Sequence, residues 1–386
     1  MQFIDLKSQY ASLKEKIDTN IHKVLDHGQY VMGPEVLELE EKLAEYVGTK
    51  HCISCSSGTD ALVMALLAHG IGEGDVVITT PFTFIATAEA IKFVGAKPLF
   101  VDIDHETFNL SPQLLESTLK AISINESTIH SQVCSDIKEV KAVISVDLFG
   151  LPADAKKINE IASEYGLIVI EDAAQGFGGS LNGKKAGGLS DIGCTSFFPA
   201  KPLGGYGDGG AIFTDNDDIA EVLKSIRVHG QGIDKYQNVR LGLTGRLDTI
   251  QAAVLLPKLE VFEGEIDKRQ NVAELYTRKL SSIKGLTTPS IPDESISAWA
   301  QYTLMAKDDV HRTSIMEHLK SNDVPVAVYY PIPLHQQKVF ENLQRYYPDF
   351  GYFGEETGTD GITEKECSWV LDPIDGTRNY IYQYPH

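Results

Sequence analysis

Seven short runs rich in Val, Ile, Phe and Thr interrupt the first 215 positions: HCISC, DVVITT, KPLFVDI, KAVISVD, GLIVIEDA, CTSFF and GAIFTD. Several are apolar almost without alternation, as strands buried on both faces are, and helical stretches separate them at the spacing of βαβ units. The pattern predicts an α/β fold with a mostly parallel, seven-stranded sheet between helices. Residues 1–260, including an amphipathic N-terminal helical segment, form one large domain on this reading. The run from Leu247 to about Leu280 reads as one long helix connecting to a smaller α+β domain over 261–340. The polar stretch between Leu110 and Lys141 reads as a helix plus an exposed insertion.

Charge narrows the partners. The 386 residues carry 34 Lys and Arg against 54 Asp and Glu, a net charge of -20, with no basic run longer than two. Such a surface repels phosphate backbones and anionic lipid heads, so neither nucleic acid nor a membrane is expected as partner. The opening MQFIDLKSQYASLKEK has no apolar core of a signal peptide. No apolar stretch approaches the roughly 20 residues of a membrane helix, and the cytoplasm is the expected location. Five irregularly spaced cysteines, Cys52, Cys55, Cys134, Cys194 and Cys367, make no disulfide framework. Cys52 and Cys55 form a C-x-x-C without a second ligand pair, so packing is preferred to zinc or redox chemistry.

Ligands of doubly wound sheets bind beyond the carboxyl ends of the strands. After the first run, Ser56-Ser57-Gly58-Thr59-Asp60 opens an apolar helix, a turn able to cradle phosphate, although any βα turn carries Gly and Ser for capping. After GLIVI come Glu171 and Asp172, where a buried carboxylate needs a cationic or hydrogen-bonding partner. After CTSFF a Gly-rich loop holds Lys201, 29 residues beyond Asp172. A lysine held there can act as a Schiff-base amine. A phosphate cradle, an acid for a pyridinium nitrogen and such a lysine together are what pyridoxal phosphate requires. Neither a dinucleotide fingerprint nor a P-loop occurs in a suitable context.

The segments GQYVMGPEVLELEEKLAEYVG, SSGTDAL, TTPFTFIATAEAI, VIEDAAQGFG, TSFFPAKPLGGYGDGGAIFT, GRLDTIQAAVLLPKL and AVYYPIPLH resemble, in this order, the DegT/StrS-type sugar aminotransferases of fold type I. The resemblance implies that Lys201 forms the Schiff base and moves the substrate proton, and that Asp172 keeps the pyridine nitrogen protonated. It implies that Gln175 meets the ring hydroxyl, Gly58, Thr59 and Ser196 the phosphate, and Phe84 the ring face. Relatives carrying His at the lysine position dehydrate instead, and Lys201 argues against that branch. Thr244 stands in Gly242-Leu243-Thr244-Gly245-Arg246 where many relatives place an Asn that reaches the neighbouring subunit's phosphate. A homodimer is implied. Within the family, the resemblance implies amination of the 3-keto group of a nucleotide-linked 2-acetamido hexuluronic acid (UDP-2-acetamido-3-keto-hexuluronate) with glutamate as donor, for surface polysaccharide synthesis. Tyr329, Tyr330 and His335 are the substrate-side candidates.

Beyond Phe340 the sequence changes character. Residues 341–386 read GEE and SWVLDPIDGTRNY, which resemble inositol monophosphatase motifs. That resemblance implies Glu355, Asp372 and Asp375 as magnesium ligands, and Mg²⁺ is expected only if this fragment binds it. The stretch lacks the rest of that fold, so a fragment without phosphatase activity is the preferred reading, with a strand around SWVLDPID. Two alternatives to the aminotransferase accompany it. One is an impaired, non-enzymatic chimera with an incomplete small domain; the other is a metal-dependent phosphatase fragment.

Overall fold

The computed structural model describes residues 5–126, 133–234 and 236–340, and the backbone of 368–372. Helices α1 (Leu6–His27) and α2 (Pro34–Val47) lead into β1 (His51–Cys55), α3 (Gly58–Ala68), β2 (Val76–Thr79), α4 (Ala86–Phe93) and β3 (Lys97–Phe100). Then follow α5 (Pro112–Ser123), β4 (Val140–Val146), α6 (Ala155–Glu164), β5 (Ile168–Asp172) and the two-residue strands β6 (Ser180–Leu181) and β7 (Lys184–Lys185). Strands β8 (Ile192–Ser196) and β9 (Gly210–Thr214) and helix α7 (Asp217–Ile226) complete the large unit. The seven apolar runs are the seven strands of its main sheet, ordered β1-β9-β8-β5-β4-β2-β3. Strand β9 lies antiparallel to β1 and β8, and the remaining neighbours pair parallel.

Burial on both faces explains why these runs barely alternate. Val76, Ile78, Val143 and Val169 pack into one core with α5 and α6, whereas Val77, Ala142, Ile144 and Ile170 pack into another with α3 and α4. Successive side chains of a strand point to opposite faces, so both sets must be apolar. All four described cysteines are buried free thiols, and no metal-binding group of three or more side chains exists among the described residues. Burial pushes the Cys52 and Cys55 thiols upward, as packing cysteines behave. Among the described residues no helix is long and apolar enough to cross a membrane.

Helix α8 (Thr249–Leu280) runs 32 residues and packs against α1 and α2. Pro257 inside it removes one backbone donor, and the Ala253 carbonyl that loses its helical partner accepts from Asn20 Nδ2 at 3.3 Å. Phe262 stacks on Phe177, which stacks on Phe213, each pair at 5.8 Å between ring centroids. The sequence boundary at residue 261 therefore falls inside an unbroken helix, and the passage to the smaller region is made without a linker.

The smaller region comprises β10 (Leu286–Thr287), β11 (Ser295–Ile296), β12 (Tyr302–Ala306), α9 (Asp309–Ser321) and β13 (Ser368–Asp372). Strand β11 joins β6 and β7, while β10, β12 and β13 form a three-stranded sheet. The strand expected around SWVLDPID is β13, antiparallel to β12, with Asp372 opposite Tyr302 and Ser368 opposite Ala306. Glu355 and Asp375 lie outside the described residues, as does the centre of the insertion, 127–132.

Candidate active site

The carboxyl ends of β1, β2, β4, β5 and β8 converge on one cavity of about 350 Å³, a size typical of small-molecule sites. Ser57, Gly58, Thr59, Phe84, Asp172, Gln175, Ser196, Lys201, Tyr329 and Tyr330 all line it. Residues from Ser57 to Ser196 meet here because parallel strands deliver their ends to one edge of the sheet, and a loop of the smaller region adds Tyr329 and Tyr330.

Asp172 ends β5 and is buried. Its Oδ2 accepts from the Thr87 hydroxyl at 2.9 Å and its Oδ1 from the Ala174 N–H at 3.2 Å. Burial pushes this carboxyl above the ordinary range, against the pull of Thr87, the Lys201 charge and the Ala174 N–H. Lys201 lies across the cavity in a turn closed by its own N–H to the Phe198 carbonyl at 2.8 Å. Burial holds its amine below the ordinary lysine value, with the Asp172 charge opposing. The cavity therefore pairs a carboxylate that gains from a neighbouring cation with an amine that burial makes easier to neutralise than an ordinary lysine.

At the opposite side, Ser57 caps α3 by accepting the Asp60 N–H at 3.0 Å. The Gly58 and Thr59 N–H groups in the first turn have no helical acceptor and meet the positive end of the dipole. A Cβ on Gly58 would stand 2.6 Å from the Ser196 Cβ, so only glycine leaves this turn open beside that serine. Gln175 is fixed from both ends, its Oε1 accepting from the Phe149 N–H at 2.9 Å and its Nε2 donating to the Tyr330 hydroxyl at 3.1 Å. Phe84, 54% exposed, stands at the mouth with the similarly exposed Phe198.

Two sequence candidates stand elsewhere. Thr244 is exposed and hydrogen-bonded to His229 Nε2 at 2.9 Å, outside the cavity of its own chain. His335 does not reach the cavity: it is 0% exposed, with its ring 6.2 Å from that of Phe100. Its position one residue after Leu334, which anchors to the Pro81 carbonyl at 2.8 Å, turns it into the core rather than toward a substrate.

Burial pushes the His335 imidazole down to about 4. The unfolded chain takes up this proton first, so the associated stability is complete above the unfolded value of 6.5 and is lost as pH falls from there toward 4. The loss is about 2 to 3 kcal/mol. Urea titrations at pH 7 and pH 4.5 check it; His335→Phe should remove this part of the acid slope, and an unchanged slope would contradict the assignment.

The cavity also holds residues that sequence reading did not single out. Thr87 orients Asp172 from the first turn of α4, and Asp208 stands in the Gly-rich loop. Gln301 lines the wall, and its buried Oε1 has no hydrogen-bond partner among the described residues. No spacing rule marks a threonine in an apolar helix or a lone glutamine before a strand.

These groups fit pyridoxal phosphate. The open first turn beside Gly58, the buried Asp172 and the desolvated Lys201 amine match its phosphate, ring nitrogen and carbonyl in charge and chemistry. A model of the DegT/DnrJ/EryC1/StrS aminotransferase family matches residues 11–352, and one of the inositol monophosphatase family matches residues 333–386. A UDP-2-acetamido-2-deoxy-3-oxo-D-glucuronate aminotransferase of Pseudomonas aeruginosa is 51% identical over 337 residues, covering 87% of this chain and 88% of its own. The crystal structure of a DegT DnrJ EryC1 StrS aminotransferase from Brucella abortus superimposes with a TM-score of 0.84 at 39% identity, covering 100% of both chains. The NtdA structure from Bacillus subtilis, solved with bound cofactor PMP, gives 0.78 at 29% identity over 96% of this chain and 82% of that one.

Proposed function

The chain belongs to the DegT/DnrJ/EryC1/StrS aminotransferase family, and from that premise we propose that it aminates the 3-keto carbon of UDP-2-acetamido-2-deoxy-3-oxo-D-glucuronate, with glutamate as donor. Pyridoxal phosphate is the cofactor of this enzyme class. The observation that carries the reading is the pairing of buried Asp172 with desolvated Lys201 across one cavity.

When bound, the cofactor supplies the carbonyl that takes up an amino group and the ring that withdraws electrons from the neighbouring carbon. The N–H groups of Gly58 and Thr59 and the Ser196 hydroxyl would hold its phosphate. Asp172, steered by Thr87, would hold the proton on the ring nitrogen. Lys201 Nζ, neutral at a lower pH than an ordinary lysine, would hold the cofactor, take the proton from the donor's α-carbon and return a proton to carbon 3 of the sugar. Gln175, locked by Phe149 and Tyr330, would meet the ring hydroxyl, and Phe84 at the mouth would cover the ring and exclude water. Tyr329 and Tyr330 border the sugar. The unpaired Gln301 Oε1 suits a donor on that ligand.

A cytoplasmic homodimer for polysaccharide synthesis completes the proposal, with Thr244, shorter than the Asn of many relatives, able to offer one hydrogen bond on the exposed face. Light scattering at the mass of two chains tests it. The proposal divides the chain into a large cofactor-binding domain over 1–260, a partial small domain over 261–340 and a phosphatase-like segment over 341–386.

Thr87→Val removes a hydrogen bond to a charged group, a loss of about 1.5 to 3 kcal/mol. Cofactor affinity, read by fluorescence quenching, should weaken at least tenfold without loss of circular dichroism. Unchanged affinity would show that Thr87 does not steer Asp172. The amination itself is tested by combining glutamate, the UDP-keto sugar and cofactor-loaded protein and following 2-oxoglutarate.

A further inference from the structure

Lysine is seldom buried, yet Lys258, in the middle of α8, is 2% exposed. Its Nζ donates to the Gly204 carbonyl at 2.6 Å and stands 4.2 Å from the centroid of the Tyr206 ring. Gln251, two helical turns earlier on the same face, accepts the Tyr206 N–H at 2.8 Å through its Oε1. Both reach the loop that begins at Lys201.

That loop is tightly determined elsewhere too. The Gly205 N–H donates to the Phe197 carbonyl at 2.7 Å, and the Phe197 N–H to the Gly209 carbonyl at 2.8 Å. A Cβ on Gly204 would meet the Pro199 carbonyl oxygen at 2.3 Å, and one on Gly207 would meet the Gln251 amide at 2.9 Å. The two side chains from α8 therefore grip the outer strand of a loop whose inner strand carries Lys201. A charge-assisted bond to a buried carbonyl is among the stronger contacts a side chain makes.

We infer that Lys258, assisted by Gln251, is a positioning residue: it clamps the Pro199–Gly207 backbone to α8 and so fixes the place from which the Lys201 side chain enters the cavity. The inference rests on Lys201 being the cofactor lysine. Its test does not, because the loop is read in the cofactor-free protein.

Hydrogen–deuterium exchange of the full chain, without cofactor, is compared for the parent, Lys258→Met and Gln251→Leu. Lys258→Met keeps the stem and removes the donor. Exchange in a peptide spanning 197–209 should rise at least tenfold in Lys258→Met and by a smaller factor in Gln251→Leu, while peptides of β4 and β5 stay within twofold. Affinity for added pyridoxal phosphate should fall about tenfold in Lys258→Met. Loop exchange within twofold of the parent in both variants overturns the inference, and so does a rise spread equally over loop and sheet, which marks Lys258 as a general core residue. If borohydride fails to attach the cofactor to Lys201 in the parent, the reading of the cofactor lysine fails instead, whatever the loop does.

Discussion

Lys201→Ala should be inactive in amine transfer, with a loss on the order of 10⁴-fold or more, since it removes both the covalent attachment and the proton-moving base. Borohydride should fix no cofactor to the variant, whereas in the parent it should leave the label on the peptide containing Lys201. The fold should survive, because the Lys201 side chain projects into a cavity rather than filling the core. The depressed amine adds a pH signature. A lysine lowered by burial becomes neutral below its ordinary 10.5, so the rate should rise with pH on a limb placed below that value. A limb at or above 10.5 would show that the site does not tune this amine.

Asp172→Asn should cost on the order of 10³-fold in turnover, the scale of losing one preorganised electrostatic partner. Here the cofactor should remain attached to Lys201, which separates this variant from the first. The two differ in stability as well. The Asp172 carboxyl lies above its unfolded value, so the folded chain holds a proton that the unfolded chain has released, and stability falls as pH rises through that window. Cofactor-free Asp172→Asn should consequently be at least as stable as the parent near pH 8. Full activity in Asp172→Asn, or marked destabilisation of its cofactor-free form, would remove the aspartate from the role assigned to it.

The large domain was legible because its physics repeats along the chain. A strand covered on both faces must be apolar at consecutive positions, and GLIVIED or KAVISVD can hardly be read otherwise. The strand ends followed: Gly58, Asp172, Ser196 and Lys201 each stand where a run stops, and parallel pairing brings such ends together. Contacts made through single polar side chains left no such trace. Thr87 sits among alanines in α4 and Lys258 among leucines in α8, and only the fold shows that one meets Asp172 and the other Gly204. Strands β6, β7 and β11 are two residues each, too short for any period to register. His335 illustrates the converse error, since a histidine in a Pro-rich turn reads as a ligand contact until the turn is seen to point into the core.

The tail alters the meaning of the overall charge. Residues 341–386 contribute nine acidic and three basic residues to the net charge of -20, so part of the excess belongs to a segment resembling another family. Its backbone nonetheless supplies β13, the strand opposite β12 in the smaller sheet.

Transfer of a labelled nitrogen tests the central claim most directly. Cofactor-loaded protein is given glutamate carrying an isotopically labelled amino group together with UDP-2-acetamido-2-deoxy-3-oxo-D-glucuronate, and the sugar product is read by nuclear magnetic resonance. The account predicts the label on ring carbon 3 of the sugar, in one-to-one ratio with 2-oxoglutarate, and none with Lys201→Ala. No label on the sugar under conditions where the Pseudomonas aeruginosa relative transfers it would contradict the account.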